Sequence, residues 1–373
     1  MKKVLTICIP TYRRQSLLRR CIDSVLSQIE KYSLSKLVDV YVSNDASLDE
    51  TVCVLDMYTS LSYFHCVTRE CNLGMNVNIR RMLSEVAESS YYQLIITDDD
   101  YLQPNTLAEI VELLQLKLGG RNIVPAIWTP RYSYREGGEL HCIIGNRLKC
   151  SSLVRPSAIN AGRNMENGCV LSGLILRAEC IDYVLWEHCS ENAYFPLIVF
   201  GDLLFRNGAY YWNYNIVHHT VLNECYWERF GSTPTLIELR LFGDFMNAYN
   251  EIARKINIHS WTIPFYLGSF PSTYRLVNDQ LFSGGLRGNS GMATNYINEL
   301  RAKGILKFSF QLHLLMVSAL LSCVTVSAIK LGVLGVLTLC VRKRRRKEYY
   351  GKKFCSYLEA LRMAKIVFKL VVS

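Results

Sequence analysis

Three consecutive carboxylates, Asp98, Asp99 and Asp100, directly follow the apolar residues 94–96. Carboxylates this close repel one another unless a positive charge lies between them. Mg²⁺ and Mn²⁺ prefer oxygen ligands, and they bridge one or two carboxylates to substrate phosphates. The three aspartates therefore predict a site for a divalent cation and a diphosphate. An acidic turn that caps a helix beginning near Asn105 is the alternative.

A further carboxylate, Asp45, lies in a polar segment that follows another apolar run, at residues 38–42. At the edge of a sheet it could accept hydrogen bonds from a nucleotide base or from ribose. The alternative is an Asx turn, which Asn44 or Ser47 would suit equally well.

The elements that must position these side chains alternate between strand and helix. Continuous apolar runs predict strands at residues 4–9, 38–42, 63–67 and 93–96. Helical spacing of apolar residues predicts helices at 17–26, 51–57, 77–86 and 104–118. This alternation predicts an open α/β sheet, and such sheets bind ligands at the carboxyl ends of their strands, where the acidic residues lie.

The pattern is weaker in the second half of the chain. It predicts strands at 123–128 and 171–176, and helices at 181–188 and 236–256, without a topology.

Composition limits the class of protein. The chain has 373 residues, of which 50% are apolar, enough for one large domain or a main domain with an appendage. Its fourteen cysteines include no C-x-x-C pair, so we expect reduced thiols rather than a zinc site or a disulfide framework.

The net charge of +10 is concentrated at the C-terminus, where residues 342–373 hold eleven Lys and Arg against two Glu. This basic segment follows the strongly apolar residues 308–341. A helix over 312–341 would be about 45 Å long, whereas a bilayer core measures ~30 Å. Basic clusters beside apolar segments stay cytoplasmic and bind anionic headgroups. We therefore expect residues 301–373 to be membrane-associated, while a span, a re-entrant pair and a buried core helix remain open.

Two further features support a cytoplasmic membrane face. The apolar run near the N-terminus is only seven residues long, too short for a signal peptide, so we expect the N-terminal domain in the cytosol. The basic block also lacks the interleaved aromatic residues that stack on bases, which disfavours a nucleic-acid partner. Residues 354–372 have the pattern of a helix lying in the membrane interface or of an ordinary surface helix.

Four motifs together resemble the family 2 glycosyltransferases. They are Ile-Cys-Ile-Pro-Thr-Tyr-Arg at 7–13, Ser-Asn-Asp-Ala-Ser at 43–47, Asn-Leu-Gly at 72–74 and Thr-Asp-Asp-Asp-Tyr-Leu at 97–102. The resemblance covers about residues 4–118. The fourth motif looks most like the enzymes that add O-antigen side branches, such as abequosyltransferases.

The resemblance implies a GT-A fold, which is Rossmann-like, with a mostly parallel sheet flanked by helices. Residues 1–118 would be the nucleotide-sugar-binding half, 119–300 the acceptor-binding half and 301–373 the membrane-associated segment. The implied contacts to the nucleotide sugar come from Thr11, Tyr12, Asp45, Asn78 and Asp98.

The implied metal ligands for Mg²⁺ or Mn²⁺ are Asp99 and Asp100. The sequence departs from the family pattern at Arg13, where Asn is common, and at Thr97, where the first Asp of a D-x-D motif often lies. His218 and His219 could complete the metal shell, although a neighbouring His pair is more often a packed feature.

The catalytic base is the least determined residue. The family usually supplies it as the Asp of a Glu-Asp pair in the second half, and this pair is absent. Glu191 and Asp202 are the candidates, and we select Glu191.

These observations predict a metal-dependent, inverting glycosyltransferase at the cytoplasmic face of the inner or plasma membrane. Its expected partners are a nucleoside-diphosphate-sugar donor, a lipid-linked saccharide acceptor of O-antigen or other surface polysaccharide biosynthesis, and an anionic membrane surface. A protein or lipid A-like acceptor is an alternative. A non-catalytic membrane-associated scaffold with a degenerate transferase domain is another.

Overall fold

The computed structural model describes residues 2–119, 124–135, 138–144, 148–221, 244, 248–249, 251–255, 265 and 267–269. The chain divides into two compact units, Met1–Glu224 and Cys225–Ser373. All strands and helices named below belong to the first unit. The described residues of the second unit are helical, and among them Arg254 pairs with Glu251 at 2.8 Å.

The first four strands form one parallel block of the main sheet, in the order β3-β2-β1-β4. Their bounds are β1 Lys3–Thr11, β2 Val38–Asn44, β3 Phe64–Thr68 and β4 Ser90–Ile95. The helices that connect and follow them are α1 Gln15–Lys31, α2 Thr51–Asp56, α3 Met75–Glu85 and α4 Thr106–Gly119. All eight elements predicted over residues 4–118 are confirmed.

The burial of these elements explains why the sequence forms them. β1 lies between β2 and β4, and every residue after Lys3 in this strand is buried, which its continuous apolar composition allows. On α1, residues spaced three and four apart, among them Leu18, Ile22 and Val25, form the buried face.

Among the described residues of the first unit, eight more strands and three more α-helices follow β4. They are β5 Tyr101–Leu102, β6 Ala126–Trp128, β7 Arg131–Arg135, β8 Leu140–Ile144, β9 Ser152–Val154, α5 Ala158–Asn164, β10 Leu174–Arg177, α6 Tyr183–His188, α7 Phe195–Arg206, β11 Ala209–Tyr211 and β12 Val217–Val221. The strands predicted at 123–128 and 171–176 and the helix predicted at 181–188 are confirmed.

The main sheet continues from β4 in the order β10-β6-β11-β9. β10 runs antiparallel to both of its neighbours, β4 and β6. A small second sheet has the order β5-β12-β7-β8 and begins directly after the three aspartates. The α/β architecture with a mostly parallel sheet flanked by helices is thus confirmed for the first unit.

Several predictions from the C-terminal sequence fall outside the described residues. The membrane-associated segment 301–373, with its apolar run and basic block, is one of them. The helix predicted at 236–256 is described at 244, 248–249 and 251–255, and all of these positions are helical. Within the part of the chain that the structure describes, no helix has the length and apolar character needed to cross a membrane.

Candidate active site

The carboxyl ends of β1, β2 and β4 meet at one edge of the sheet, and hydrogen bonds join the residues there. Thr11, the last residue of β1, donates its hydroxyl to Asp98 Oδ2 at 2.8 Å. The Asp45 N–H donates to the Thr11 carbonyl at 3.0 Å. The Tyr12 N–H also reaches Asp98 Oδ2, at 3.4 Å. The structure thus brings together four residues that the sequence assigned to one site.

Asp45 is buried and attaches the end of β2 to the turn that precedes α3. Its Oδ1 accepts the Leu73 N–H at 2.8 Å, and its Oδ2 accepts the Gly74 N–H at 2.9 Å. Gly74 has φ +80°, a left-handed conformation that costs glycine little. Each carboxylate oxygen keeps a second lone pair, so Asp45 can hold this turn and still accept a bond from a ligand.

Asn78 lies beneath the end of β2 and bonds to the protein through both amide atoms. Its Nδ2 donates to the Ser43 carbonyl at 3.1 Å, and its Oδ1 accepts the Ser43 hydroxyl at 2.6 Å. The Arg69 Nε donates to the same Oδ1 at 3.2 Å, while both terminal nitrogens of Arg69 bond to Glu85. In this arrangement Asn78 supports Ser43, and its contact with a sugar nucleotide stays a prediction.

Arg14, which directly precedes α1, lies between two of the three aspartates. Its Nη1 donates to Asp98 Oδ1 at 3.1 Å and to Asp99 Oδ2 at 2.5 Å. Two carboxylate oxygens therefore converge on a single nitrogen. The Arg14 and Asp99 side chains are 20% and 22% exposed, whereas Asp98 is 6% exposed. The pair of carboxylates thus has one buried and one accessible member.

Asp100 turns away from this pair and faces β12. Its Oδ2 lies 2.9 Å from His219 Nδ1 and accepts the Thr97 hydroxyl at 3.1 Å. Its Oδ1 accepts the Thr220 N–H at 2.8 Å. His219 Nε2 is buried and has no hydrogen-bond partner among the described residues. Asp100 is therefore held mainly by residues about 120 positions later in the chain.

Burial and charge act differently on the two buried aspartates. For Asp98, burial outweighs the attraction of Arg14 and raises the pKa to about 6. For Asp100, burial also favours the neutral form, but the interaction with His219 and hydrogen bonds from Ser172 and Thr220 together outweigh it and lower the pKa. The pKa of Arg14 is raised, because the attraction of Asp99 and Asp98 outweighs its desolvation. Arg14 thus places positive charge directly beside Asp98 and Asp99.

Comparison with known proteins agrees with this geometry. Residues 6–127 match the sequence profile of the family described as Glycosyl transferase family 2. The N-terminal part of the chain is therefore similar to the family 2 glycosyltransferases. The match contains Thr11, Asp45 and all three aspartates, which are the residues that the sheet edge brings together.

A curated relative of the transferase domain is the abequosyltransferase RfbV of Salmonella typhimurium, which is 27% identical over 105 residues. That alignment covers 28% of this chain and 31% of the relative, so the chain spans about a third of the relative's length.

Solved structures resemble the chain over a greater length. S. aureus TarS 1–349 in complex with UDP-GlcNAc has a TM-score of 0.54 at 15% identity. The superposition covers 98% of this chain and 92% of the TarS chain. The same protein in complex with UDP has a TM-score of 0.52 at 14% identity, with 98% of this chain and 91% of the TarS chain covered. At this identity the likeness shows the fold alone, which is the GT-A type of α/β sheet.

The donor atoms of the transferase domain fit a divalent cation at one position. Asp98 Oδ1 and Asp99 Oδ2 already converge on a cationic atom, Arg14 Nη1, and Mg²⁺ often binds through one or two carboxylates plus substrate phosphates. A metal ion there would require Arg14 to move. Asp100 instead faces β12, and its Oδ2 already has two partners, His219 and Thr97, so the geometry favours Asp98 and Asp99 over Asp99 and Asp100 as the pair facing one cation. Among the described residues, no group of three or more His, Cys, Asp or Glu side chains could hold a metal ion.

The two candidates for the catalytic base have different surroundings. Glu191 is exposed in the turn between α6 and α7. Asn76, near the start of α3, donates its amide to the Ser190 and Asn192 carbonyls. These two hydrogen bonds attach the turn that contains Glu191 to the start of α3. Asp202 is buried on α7 and pairs with Arg206 at 2.5 Å. Its position in a salt bridge makes it the weaker candidate.

Sequence reasoning did not select several residues that hold the transferase site. Arg14 is prominent among them. The only feature of the sequence that points to its role is its positive charge close to Thr11. Ser172 accepts the Thr97 N–H at 2.8 Å, and buried Arg131 donates to the Ser172 carbonyl at 3.2 Å. Burial lowers the pKa of Arg131 to about 10. His219 was recognised as part of a His pair, but its contact with Asp100 was not predicted.

Proposed function

We propose that this chain is a glycosyltransferase that moves a sugar from a nucleoside-diphosphate donor to a lipid-linked saccharide acceptor in O-antigen or other surface polysaccharide biosynthesis. The observation that carries the proposal is the set of hydrogen bonds joining Thr11, Asp45 and Asp98 at the edge of a parallel sheet. The relatives give it a chemical context, because one is an abequosyltransferase and TarS has been solved with UDP-GlcNAc.

The base and ribose of the donor would bind along the ends of β1 and β2. Asp45 offers the free lone pairs of two fixed oxygens, and these can accept N–H or O–H groups of the base or ribose. Thr11 and Tyr12 lie beside it and hold Asp98 Oδ2 in place. Asp98 would then accept a ribose hydroxyl. Because these acceptors are fixed before the ligand arrives, little ordering cost is added on binding.

The diphosphate would lie near Asp99, the most exposed of the three carboxylates. A bound Mg²⁺ or Mn²⁺ would stabilise the negative charge that develops on the leaving diphosphate. Asp99 and Asp98 are the residues that would hold the ion. Arg14 and Arg20, whose guanidinium groups both contact the 98–99 segment, add positive charge around the same position.

Transfer with inversion needs a base that takes the proton of the acceptor hydroxyl. We propose Glu191 for this role, because its carboxylate is exposed and its turn is attached by Asn76 to the start of α3. Glu191→Gln should then lower kcat for transfer while leaving donor binding unchanged. Unchanged transfer by this variant would remove Glu191 from the mechanism.

We further propose that the enzyme works at the cytoplasmic face of the inner or plasma membrane. The support for this is the apolar run at 308–341 and the basic block after it. Deletion of residues 342–373 should weaken binding to vesicles that contain anionic phospholipid. Equal binding by the full chain and the deleted chain would contradict this location.

A donor screen tests the proposed activity. The purified protein is incubated with a panel of nucleotide sugars and Mn²⁺, and the nucleoside diphosphate released by hydrolysis is measured. We expect release from at least one donor, loss of release in Asp99→Asn, and unchanged release in Asp56→Asn, which removes an exposed carboxylate at the end of α2. Absence of both binding and hydrolysis across the panel would favour the non-catalytic scaffold instead.

A further inference from the structure

The Arg14 guanidinium lies at the one place where two carboxylate oxygens of the site converge. Nη1 is 3.1 Å from Asp98 Oδ1 and 2.5 Å from Asp99 Oδ2. The same two oxygens are the pair that fits a divalent cation. A metal ion bound to them at about 2.0–2.1 Å would overlap Nη1. Arg14 and a metal therefore cannot occupy this position together.

We propose that Arg14 is a displaceable counter-ion, which neutralises the Asp98–Asp99 pair while the donor site is empty and moves onto the donor's diphosphate when a divalent cation replaces it. This inference rests on the proposed function, because it concerns the donor site of the same reaction. It adds a coupling between metal binding and diphosphate binding.

The position of Arg14 allows such a movement. Its side chain is 20% exposed, so the guanidinium is not enclosed by the protein. It directly precedes α1 and makes no side-chain capping bond to the helix. The backbone can therefore stay in place while the side-chain torsions change. A guanidinium carries five N–H donors, which match phosphate oxygens in pairs, so a diphosphate offers it a partner as good as the carboxylates it leaves.

Charge balance requires the same exchange. Asp98 and Asp99 together offer two negative charges, and Arg14 supplies one positive charge at their shared position. A divalent ion supplies two, and the arriving diphosphate brings further negative charge that Arg14 can then neutralise. Without this movement, a metal ion and a guanidinium would lie within a few ångströms of each other, where like charges repel strongly.

Arg20 provides a matched comparison within the same site. Its Nη2 donates to the Asp99 carbonyl at 2.8 Å and to the Thr220 hydroxyl at 3.0 Å, and its guanidinium lies 4.7 Å from the centre of the Tyr101 ring. In the described part of the chain it donates to no carboxylate oxygen of the three aspartates. Removing Arg20 therefore removes an equal charge from the neighbourhood without freeing the metal position.

The first experiment measures binding of Mn²⁺ alone to the nucleotide-free protein, by electron paramagnetic resonance. We expect Arg14→Gln to bind Mn²⁺ roughly tenfold more tightly than the wild type, because the competing cation is gone. Arg20→Gln should change the affinity by less than about threefold, and Arg14→Lys, which keeps the charge, should stay near the wild type. Asp99→Asn should bind poorly. Arg14→Met repeats the test with a second neutral side chain if Arg14→Gln does not fold.

The second experiment measures binding of inorganic pyrophosphate at saturating Mn²⁺. Here Arg14→Gln should bind at least about fivefold more weakly than the wild type, so the same substitution has opposite effects on the two ligands. Mn²⁺ binding by Arg14→Gln that is no tighter than the wild type overturns the proposal, and so does unchanged pyrophosphate binding. Nucleotide-sugar binding measured in EDTA decides separately whether the donor site exists, so the two proposals can fail independently.

Discussion

The carboxylate of Asp45 offers the sharpest test of how the site is assembled. It accepts two backbone N–H groups, from Leu73 and Gly74, at 2.8 and 2.9 Å, and only 3% of the residue is exposed. Asp45→Asn keeps the size of the side chain but replaces one acceptor oxygen by an NH₂ donor. That donor faces a backbone N–H, so one of the two hydrogen bonds to the side chain is lost.

The expected loss follows from these two bonds. A hydrogen bond to a charged group contributes about 1.5–3 kcal/mol, and a neutral one about 1 kcal/mol. One bond is weakened to the neutral type and the other is lost, so the free energy of unfolding should fall by up to about 3 kcal/mol. For a unit of this size, that corresponds to roughly 6–12 °C in Tm.

Urea unfolding followed by circular dichroism measures this change. The matched control is Asp49→Asn, the same substitution four residues later, where an exposed carboxylate accepts the Thr51 N–H at 3.2 Å. The control should lose less than about 1 kcal/mol. A loss for Asp45→Asn no larger than that of the control would refute the argument that this carboxylate fixes the turn before α3.

Two other predictions concern strained backbone, and one concerns pH. Arg13 and Ala46 have φ +56° and +57°, a region that costs a non-glycine residue about 1 kcal/mol. Arg13→Asn and Ala46→Gly should therefore each raise stability by about 0.5 kcal/mol in thermal unfolding, and a lower Tm would contradict this. Hydrogen bonds from Arg69 outweigh burial and lower the pKa of Glu85 in the folded protein. The pair therefore stabilises the fold fully above the pKa that Glu85 has in the unfolded chain, and this stabilisation is lost as pH falls through the lower folded-state pKa. Between about pH 6 and pH 3, the wild type should lose more stability than Glu85→Gln, and parallel curves would refute the assignment.

The first half of the fold follows from local sequence pattern. β1 is mostly apolar because every residue after Lys3 is buried, and apolar residues recur on one side of α1 because that side is buried. In such elements, the spacing of the apolar residues along the sequence shows which residues are buried. Parallel strands then place their carboxyl ends together, which is why Thr11, Asp45 and Asp98 could be assigned to one site.

The second half could not be predicted in the same way. α7 is buried on nearly all sides, so its residues show no helical period that distinguishes it from a strand. β10 pairs antiparallel with β4, and nothing in its four residues specifies that direction. The contact of His219 with Asp100 joins positions 119 apart. These features depend on tertiary packing between segments that carry no local signal of one another.

The position of Arg14 shows a different reason why the site could not be predicted fully from the sequence. The sequence shows a cation three residues after Thr11, but the carboxylates it reaches depend on the turn of the backbone at Arg13, whose φ is +56°. Asn is common at this position in the family and tolerates the left-handed region, so the departure at Arg13 has a conformational meaning. The motif that carries the family resemblance ends at Arg13, so the resemblance did not identify Arg14.

The loop that contains Asp98, Asp99 and Asp100 is held in part by residues outside the matched range 6–127. Ser172 accepts the Thr97 N–H, and Thr220 donates its N–H to Asp100. A chimera that exchanged only the first 127 residues for those of a relative would separate the loop from both partners. An exchange whose junction lies beyond about residue 221 would keep both hydrogen bonds, because Ser172 and Thr220 would then come from the same protein as the three aspartates.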